Sequence, residues 1–178
     1  MARFEIVSKY IREGKDIALP ERKTACSAGY DFQVAEDVLI QPYSYLMDRI
    51  RDICLSYAPY TLAEMASATK DSNARPTLVP TGIKCKLEKD RYLELSVRSS
   101  SPLKYWLLLA NSEGIIDADY YNNPSNEGEI FFQIINFSPY PIMLHKGDII
   151  GQGIIKQYCV TEDDTASGAR LGGFGSTS

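Results

Sequence analysis

The feature that most constrains this fold is the spacing of its apolar runs. Residues 4–7, 31–35, 38–40, 78–79, 83–87, 92–97, 106–109, 128–135, 141–144 and 149–155 are short, rich in β-branched and aromatic side chains, and read as strands. Turn residues separate them, among them Glu36-Asp37, Pro80-Thr81-Gly82 and Lys146-Gly147-Asp148. Strands this short bury an apolar face only by folding back on one another, which predicts an all-β sandwich or barrel. At 178 residues the chain predicts one domain.

One stretch breaks the pattern. Leu46, Met47, Ile50, Ile53, Cys54 and Tyr57 recur at helical spacing, with Asp48, Arg49, Arg51 and Asp52 between them. Pro59 stops that helix. Thr61-Leu62-Ala63-Glu64 is a capping-box signature, so a second short helix is expected through Ala68, followed by a polar loop over 70–76. The pair, about residues 44–75, reads as an insertion into the β scaffold.

Composition removes several chemistries. The charge of −4, from 19 basic and 23 acidic residues, argues against a non-specific nucleic-acid binder. His145 is the only histidine, which excludes multi-histidine metal centres; it precedes a turn and reads as a surface residue. Cys26, Cys54, Cys85 and Cys159 form no CxxC pair, so zinc-knuckle and thioredoxin-like motifs are absent. They read as reduced, mostly buried thiols of a cytoplasmic protein. Residues 1–15 have no signal-peptide core. The longest apolar run, 105–110, is far short of the roughly 20 residues a membrane span needs, so no membrane association is expected.

Three segments hold more polar and glycine content than packing requires. Arg98-Ser99-Ser100-Ser101 offers a guanidinium and three hydroxyls to a phosphate; alone it reads first as a turn after a strand. Asp117 and Asp119, in Gly114-Ile115-Ile116-Asp117-Ala118-Asp119-Tyr120, offer a general base or a metal contact; alone they read first as turn residues. The tail from Gly168 holds glycines, Arg170, Phe174 and terminal hydroxyls. It offers backbone N–H groups and a ring face to a ligand, or reads as a flexible terminus.

In this order the three segments resemble the trimeric dUTPase family. Ser27-Ala28-Gly29-Tyr30-Asp31-Phe32 is similar to the family's first motif and Gly147-Asp148-Ile149-Ile150-Gly151-Gln152 to its fourth. The ending Gly172-Gly173-Phe174-Gly175-Ser176-Thr177 is the most family-specific. The form Asp119-Tyr120-Tyr121-Asn122-Asn123-Pro124 looks closest to dUTPases of Gram-positive bacteria and their phages.

The resemblance implies a distorted jelly roll with a helical insertion, assembled as a homotrimer with shared sites. It implies Mg²⁺-dependent hydrolysis of dUTP to dUMP and pyrophosphate. Asp117 would be the general base. Arg98, Ser99, Ser100 and Gln152 would hold phosphates. Asn111, Gly114 and Ile116 would frame the uracil, and Tyr120 would pack on the deoxyribose. Arg170 would meet the γ-phosphate, Phe174 cover the base, and Gly175 and Ser176 wrap the triphosphate. The metal would ride on phosphates and water, with no direct protein ligand and Asp31 near its water shell. Ile149, Gly151 and Ser100 depart from the family's usual arginine, alanine and glycine.

The same resemblance leaves rivals. One is a dCTP deaminase-like enzyme of the same fold. Another is a phage-type dUTPase that also binds a regulatory protein, through an insertion otherwise read as a surface cap.

Overall fold

The computed structural model describes residues 1–54, 60–168, 170 and 173. Tyr57, Pro59, Phe174, Gly175 and Ser176 lie outside them. The chain opens with β1 (Arg3–Ile6), α1 (Ser8–Arg12), β2 (Tyr30–Gln33) and β3 (Val38–Ile40). The insertion follows as α2 (Tyr43–Ile53) and α3 (Leu62–Ser72). Then come β4 (Thr77–Pro80), β5 (Ile83–Lys86), β6 (Arg91–Ser96), α4 (Ser100–Tyr105), β7 (Leu107–Leu109) and β8 (Gly114–Asp117). A 3-10 turn, Ala118–Tyr120, precedes β9 (Phe131–Asn136), β10 (Ile142–Leu144) and β11 (Ile149–Gln157).

The strands make small antiparallel sheets, the jelly-roll-like all-β architecture that the spacing predicts. Their orders are β1-β5, β10-β3, β2-β11-β6-β8 and β4-β9-β7. Alternation sets the inner face: β6 turns Leu93 and Leu95 inward, and β9 turns Phe132 and Ile134 inward. Phe32 sits between Phe4 (ring centroids 5.5 Å apart) and Phe132 (5.7 Å). The first pair is edge-to-face and the second tilted, and ring pairs of this kind contribute about 0.5–1.5 kcal/mol beyond the area they bury. The departure at Gly151 has a packing cause. A Cβ there would overlap the Phe132 ring and lie 2.7 Å from the Ser96 carbonyl oxygen, so the large ring takes the space of the family's methyl.

The capping box forms: Thr61 Oγ1 accepts from the Glu64 N–H at 3.3 Å, and Glu64 accepts from the Thr61 N–H at 2.8 Å. The second helix runs past Ala68 to Ser72, so residues 70–72 are helical where a loop is expected. Asn73, left-handed at φ 51, supplies the stop. Arg49 Nε donates to the Ser72 carbonyl at 2.8 Å and joins α2 to α3. α2 has no fully buried residue, and Tyr43 at its start stacks on Phe137 at 5.1 Å.

Other expectations are corrected. α1 and α4 are not legible as helices. Trp106 is 62% exposed as the left-handed C-cap of α4, not part of a buried strand. Residues 128–130 precede β9 because Gly128 turns the chain at φ 80. The thiols are not mostly buried: only Cys85 is, its pKa pushed up to about 12 by burial, while Cys26 and Cys159 are exposed. His145 is exposed, as expected, with Nδ1 3.2 Å from Asp37. Among the described residues no helix is long and apolar enough to cross a membrane.

Candidate active site

β8 pairs with the central strand β6, Gly114 facing Leu95 and Asp117 facing Tyr92. Beside this ladder lies a cavity of about 200 Å³. Asn111, Gly114, Ile116, Asp117 and Tyr120 line it together, and Arg170 and Gly173 come from the arm. The segment that reads as turn residues therefore forms one wall of a concave site. Ile115, within the Gly114–Asp117 segment expected at the uracil, joins that wall; Leu95, Leu109, Phe131 and Gln133 complete the lining, and sequence reasoning missed these four. Only Gln133 carries a signal: it is the one polar side chain inside the apolar run Phe131-Phe132-Gln133-Ile134-Ile135.

Asp117 ends β8 and its side chain is 46% exposed. Partial burial raises its pKa above the ordinary carboxylate value; Arg170 opposes the rise and Asp119 adds to it. Arg170 donates from Nη2 to Asp117 Oδ2 and from Nε to Asp119 Oδ1, the latter at 2.8 Å. The arginine expected to meet a phosphate thus bridges two carboxylates of its own chain, a bidentate anion partner of the kind guanidinium favours. Its guanidinium also lies 5.9 Å from the centre of the Tyr120 ring.

Tyr120 is buried, and its hydroxyl donates to the Glu129 carbonyl at 3.0 Å. Asn126 Nδ2 donates to the same hydroxyl at 2.7 Å. Gly128 permits the tight return: a Cβ there would sit 2.6 Å from the Tyr120 carbonyl oxygen. Behind it the buried Glu129 accepts from Tyr10 (2.9 Å) and from the Gly82 N–H (3.1 Å).

The phosphate-type residues gather elsewhere. Gln152 on β11 is in register with Asp31 on β2 and Ser96 on β6, and its Nε2 reaches Ser96 Oγ at 3.4 Å. Gly29 leaves room for that side chain, since a Cβ there would overlap the Gln152 amide. Arg98 Nε lies 3.6 Å from Asp31 Oδ1. Asp31 is 9% exposed, and its Oδ2 is buried with no hydrogen-bond partner among the described residues. Ser99 is the N-cap residue of α4 and Ser100 its first residue. Arg98 and Ser100 line a second cavity, of about 420 Å³, with Asp148 and Ile149.

The two groups are apart within one chain. Along β6, Ser96 lies four residues from Tyr92, the partner of Asp117, which is about 13 Å at strand rise; Arg98 lies two residues further on. Among the described residues no three acidic, cysteine or histidine side chains converge as a metal site.

No family model matches the chain. A deoxyuridine 5'-triphosphate nucleotidohydrolase of Lactococcus lactis is 37% identical over 176 residues, 98% of this chain and 95% of that protein. The chain belongs to the dUTPase family. The namesake enzyme of Helicobacter pylori strain J99 is 30% identical over 166 residues, 89% of this chain and 88% of that protein. Among solved structures, the dUTPase of Streptococcus mutans superimposes with a TM-score of 0.66 at 34% identity, covering 89% of this chain and 98% of its own. The dUTPase of Staphylococcus aureus phage phi11, described with a species-specific insert, has a TM-score of 0.61 at 16% identity and covers 94% and 97%. That last likeness speaks to the fold alone. The family thus agrees with the five ordered motifs, of which the second, third and fourth put described residues on the walls of the two cavities.

Proposed function

We propose that this chain hydrolyses dUTP to dUMP and pyrophosphate. The observation that carries the reading is the single cavity in which Asn111, Gly114, Ile116, Asp117 and Tyr120 converge beneath Arg170. A flat base fits between the β8 backbone and the apolar wall of Leu95 and Leu109. The β8 main-chain groups, held by pairing with β6, are fixed in direction and read a uracil edge better than that of cytosine. The Tyr120 ring lies against the sugar. Asp117 is the general base: it orients a water and takes its proton as the water attacks the α-phosphorus. Its raised pKa makes it a stronger base than an ordinary carboxylate.

Arg98, Ser99, Ser100 and Gln152 take the phosphates. Since they stand apart from Asp117 within one chain, a complete site needs a second copy, and a homotrimer with shared sites supplies it. The arm, residues 161–178, closes the site: Arg170 leaves the carboxylates for the γ-phosphate, Phe174 covers the base, and Gly175 and Ser176 wrap the phosphates. A magnesium ion carried by the triphosphate would neutralise charge that develops on the phosphate oxygens. Asp31 fits its water shell, because a buried carboxylate oxygen without a partner calls for a donor. Four free cysteines, two of them exposed, fit the reducing cytoplasm.

Pyrophosphate release from dUTP, dTTP, dCTP and UTP, each with and without Mg²⁺, tests the reading. Turnover confined to dUTP with Mg²⁺ supports it. Ammonia release from dCTP would replace it with the deaminase reading.

A further inference from the structure

The loop between the Tyr120 turn and β9 is built more elaborately than a connection requires. Asn123 is buried and acts as its hub: Oδ1 accepts from the Ser125 N–H at 3.0 Å, and Nδ2 donates to Asn126 Oδ1 at 2.7 Å. Asn126 Oδ1 also accepts from the Gly128 N–H at 3.1 Å. With its oxygen engaged twice, the amide of Asn126 has one direction left for Nδ2, and that direction meets the Tyr120 hydroxyl at 2.7 Å. The hydroxyl in turn gives its proton to the Glu129 carbonyl, so both its roles are filled. From outside, Glu127 is held by Ser8 (2.8 Å) and by the buried Lys84 (2.5 Å), which ties the loop to α1 and β5.

We propose that Asn126 is a positioning residue that sets sugar selectivity by locking the Tyr120 ring against the nucleotide cavity. The inference rests on the reading of that cavity as a dUTP site. Asn126 itself is not among the cavity's lining residues, whereas Tyr120 is. A ring fixed at its ring end by backbone and at its hydroxyl by two hydrogen bonds cannot swing aside. The extra 2′-hydroxyl of a ribonucleotide then meets a wall that does not yield. Release the hydroxyl and the ring gains the freedom to admit it. Loss of a hydrogen-bonded anchor of this kind corresponds to about a ten-fold change in an equilibrium.

The test measures kcat and KM for dUTP and for UTP in the full-length wild type, Asn126→Ala, Tyr120→Phe and the double variant. Tyr120→Phe keeps the ring and its packing, so it answers even where Asn126→Ala fails to fold, which a thermal melt shows. The expected result is a fall of about ten-fold in the dUTP-over-UTP ratio of kcat/KM in each single variant. The fall should come mainly from a lower KM for UTP, and the double variant should show no loss beyond that of Tyr120→Phe, which already removes both hydroxyl bonds. A wild-type ratio retained in Tyr120→Phe overturns the inference. Independent, additive losses overturn it too, since one shared bond cannot be lost twice. A wild type that does not turn over dUTP instead refutes the underlying reading of the cavity and is distinguishable at once.

Discussion

Arg170 and Asp117 are joined by a charged hydrogen bond, from Nη2 of the arm's arginine to Oδ2 of the strand-end carboxylate. On the proposed reading, in which Asp117 is the base, the pair couples closure of the arm to the state of that base. Burial raises the Asp117 pKa, Arg170 holds it back, and Asp119 pushes it further up. The reaction needs the carboxylate, so activity falls as pH drops through this raised value. Asp119→Asn removes a raising influence and should shift the acid limb of the pH–rate profile to lower pH. Arg170→Ala should shift that limb to higher pH as well as slow turnover. A kcat/KM profile from pH 4 to pH 8, which titrates the free enzyme, reads both shifts, and identical limbs in all three proteins would show that Asp117 is not the titrating base.

The same shift bears on stability. A carboxyl whose pKa is raised in the fold binds its proton more tightly there than in the unfolded chain. Its stabilising contribution is present at low pH and is lost as pH rises through the shifted value. At neutral pH the ionised Asp117 therefore opposes folding, though weakly, because it is nearly half exposed. Asp117→Asn should abolish turnover and leave the thermal midpoint unchanged or slightly higher. A clear drop in the midpoint would mark Asp117 as a structural residue.

Tyr10 is fully buried, and its hydroxyl donates to Glu129 at 2.9 Å, directly behind Tyr120. Burial raises the Glu129 pKa, and the bonds from Tyr10 and Gly82 counter the rise. Tyr10→Phe keeps the ring but leaves a buried carboxylate short of a donor, at a cost of about 1–3 kcal/mol. Because the missing donor had stabilised the ionised form, the destabilisation should be larger at pH 8 than at pH 5. Urea unfolding at the two pH values checks both magnitude and sign.

How much of this was legible follows element size. Ten of the eleven strands lie at or beside the runs that the alternation marks, because one face of each is buried and its period is two; β8 was not marked, since its glycine and aspartates read first as a turn. α2 and the capped start of α3 were legible from periodicity and from Thr61 and Glu64. α1 was not: with five residues, burying Tyr10 while exposing Ile11 at 62%, it shows no apolar stripe. Nor was α4, which opens on Ser100, Ser101 and Pro102, residues that serve turns and first helical turns alike. At the site, motif residues were legible through family resemblance. Gln133 and the apolar wall were not, since long-range pairing brings them there, β9 with β7 for Gln133 and Leu109 and β6 with β8 for Leu95. The tie of Arg170 to Asp117 spans 53 residues and leaves no local trace.

Gly151 shows the fold accommodating a departure from the family pattern. Gly151→Ala places a methyl against the Phe132 ring and the Ser96 carbonyl. Overpacking of this kind costs about 1–3 kcal/mol. Shortening the ring, as Phe132→Leu, should recover part of the loss in the double variant, because the two side chains claim one space. Melting curves of the four proteins give the coupling; simple additivity would mean that the clash is relieved elsewhere.

The separation along β6 makes the strongest test of shared sites. Asp117 faces Tyr92 near the start of that strand, while Arg98 follows its end. If each site draws its base from one copy and its phosphate arginine from another, Asp117→Asn and Arg98→Ala spoil different halves. Each pure variant should be nearly inactive. When the two are unfolded together and reassembled at equal ratio, a site draws an intact half from each of two copies about one time in four, so about a quarter of wild-type activity should return. The regained activity should peak at the equal ratio and vanish towards either pure variant. Were both halves contributed by a single chain, no mixture would exceed the activity of its parents, whatever the ratio.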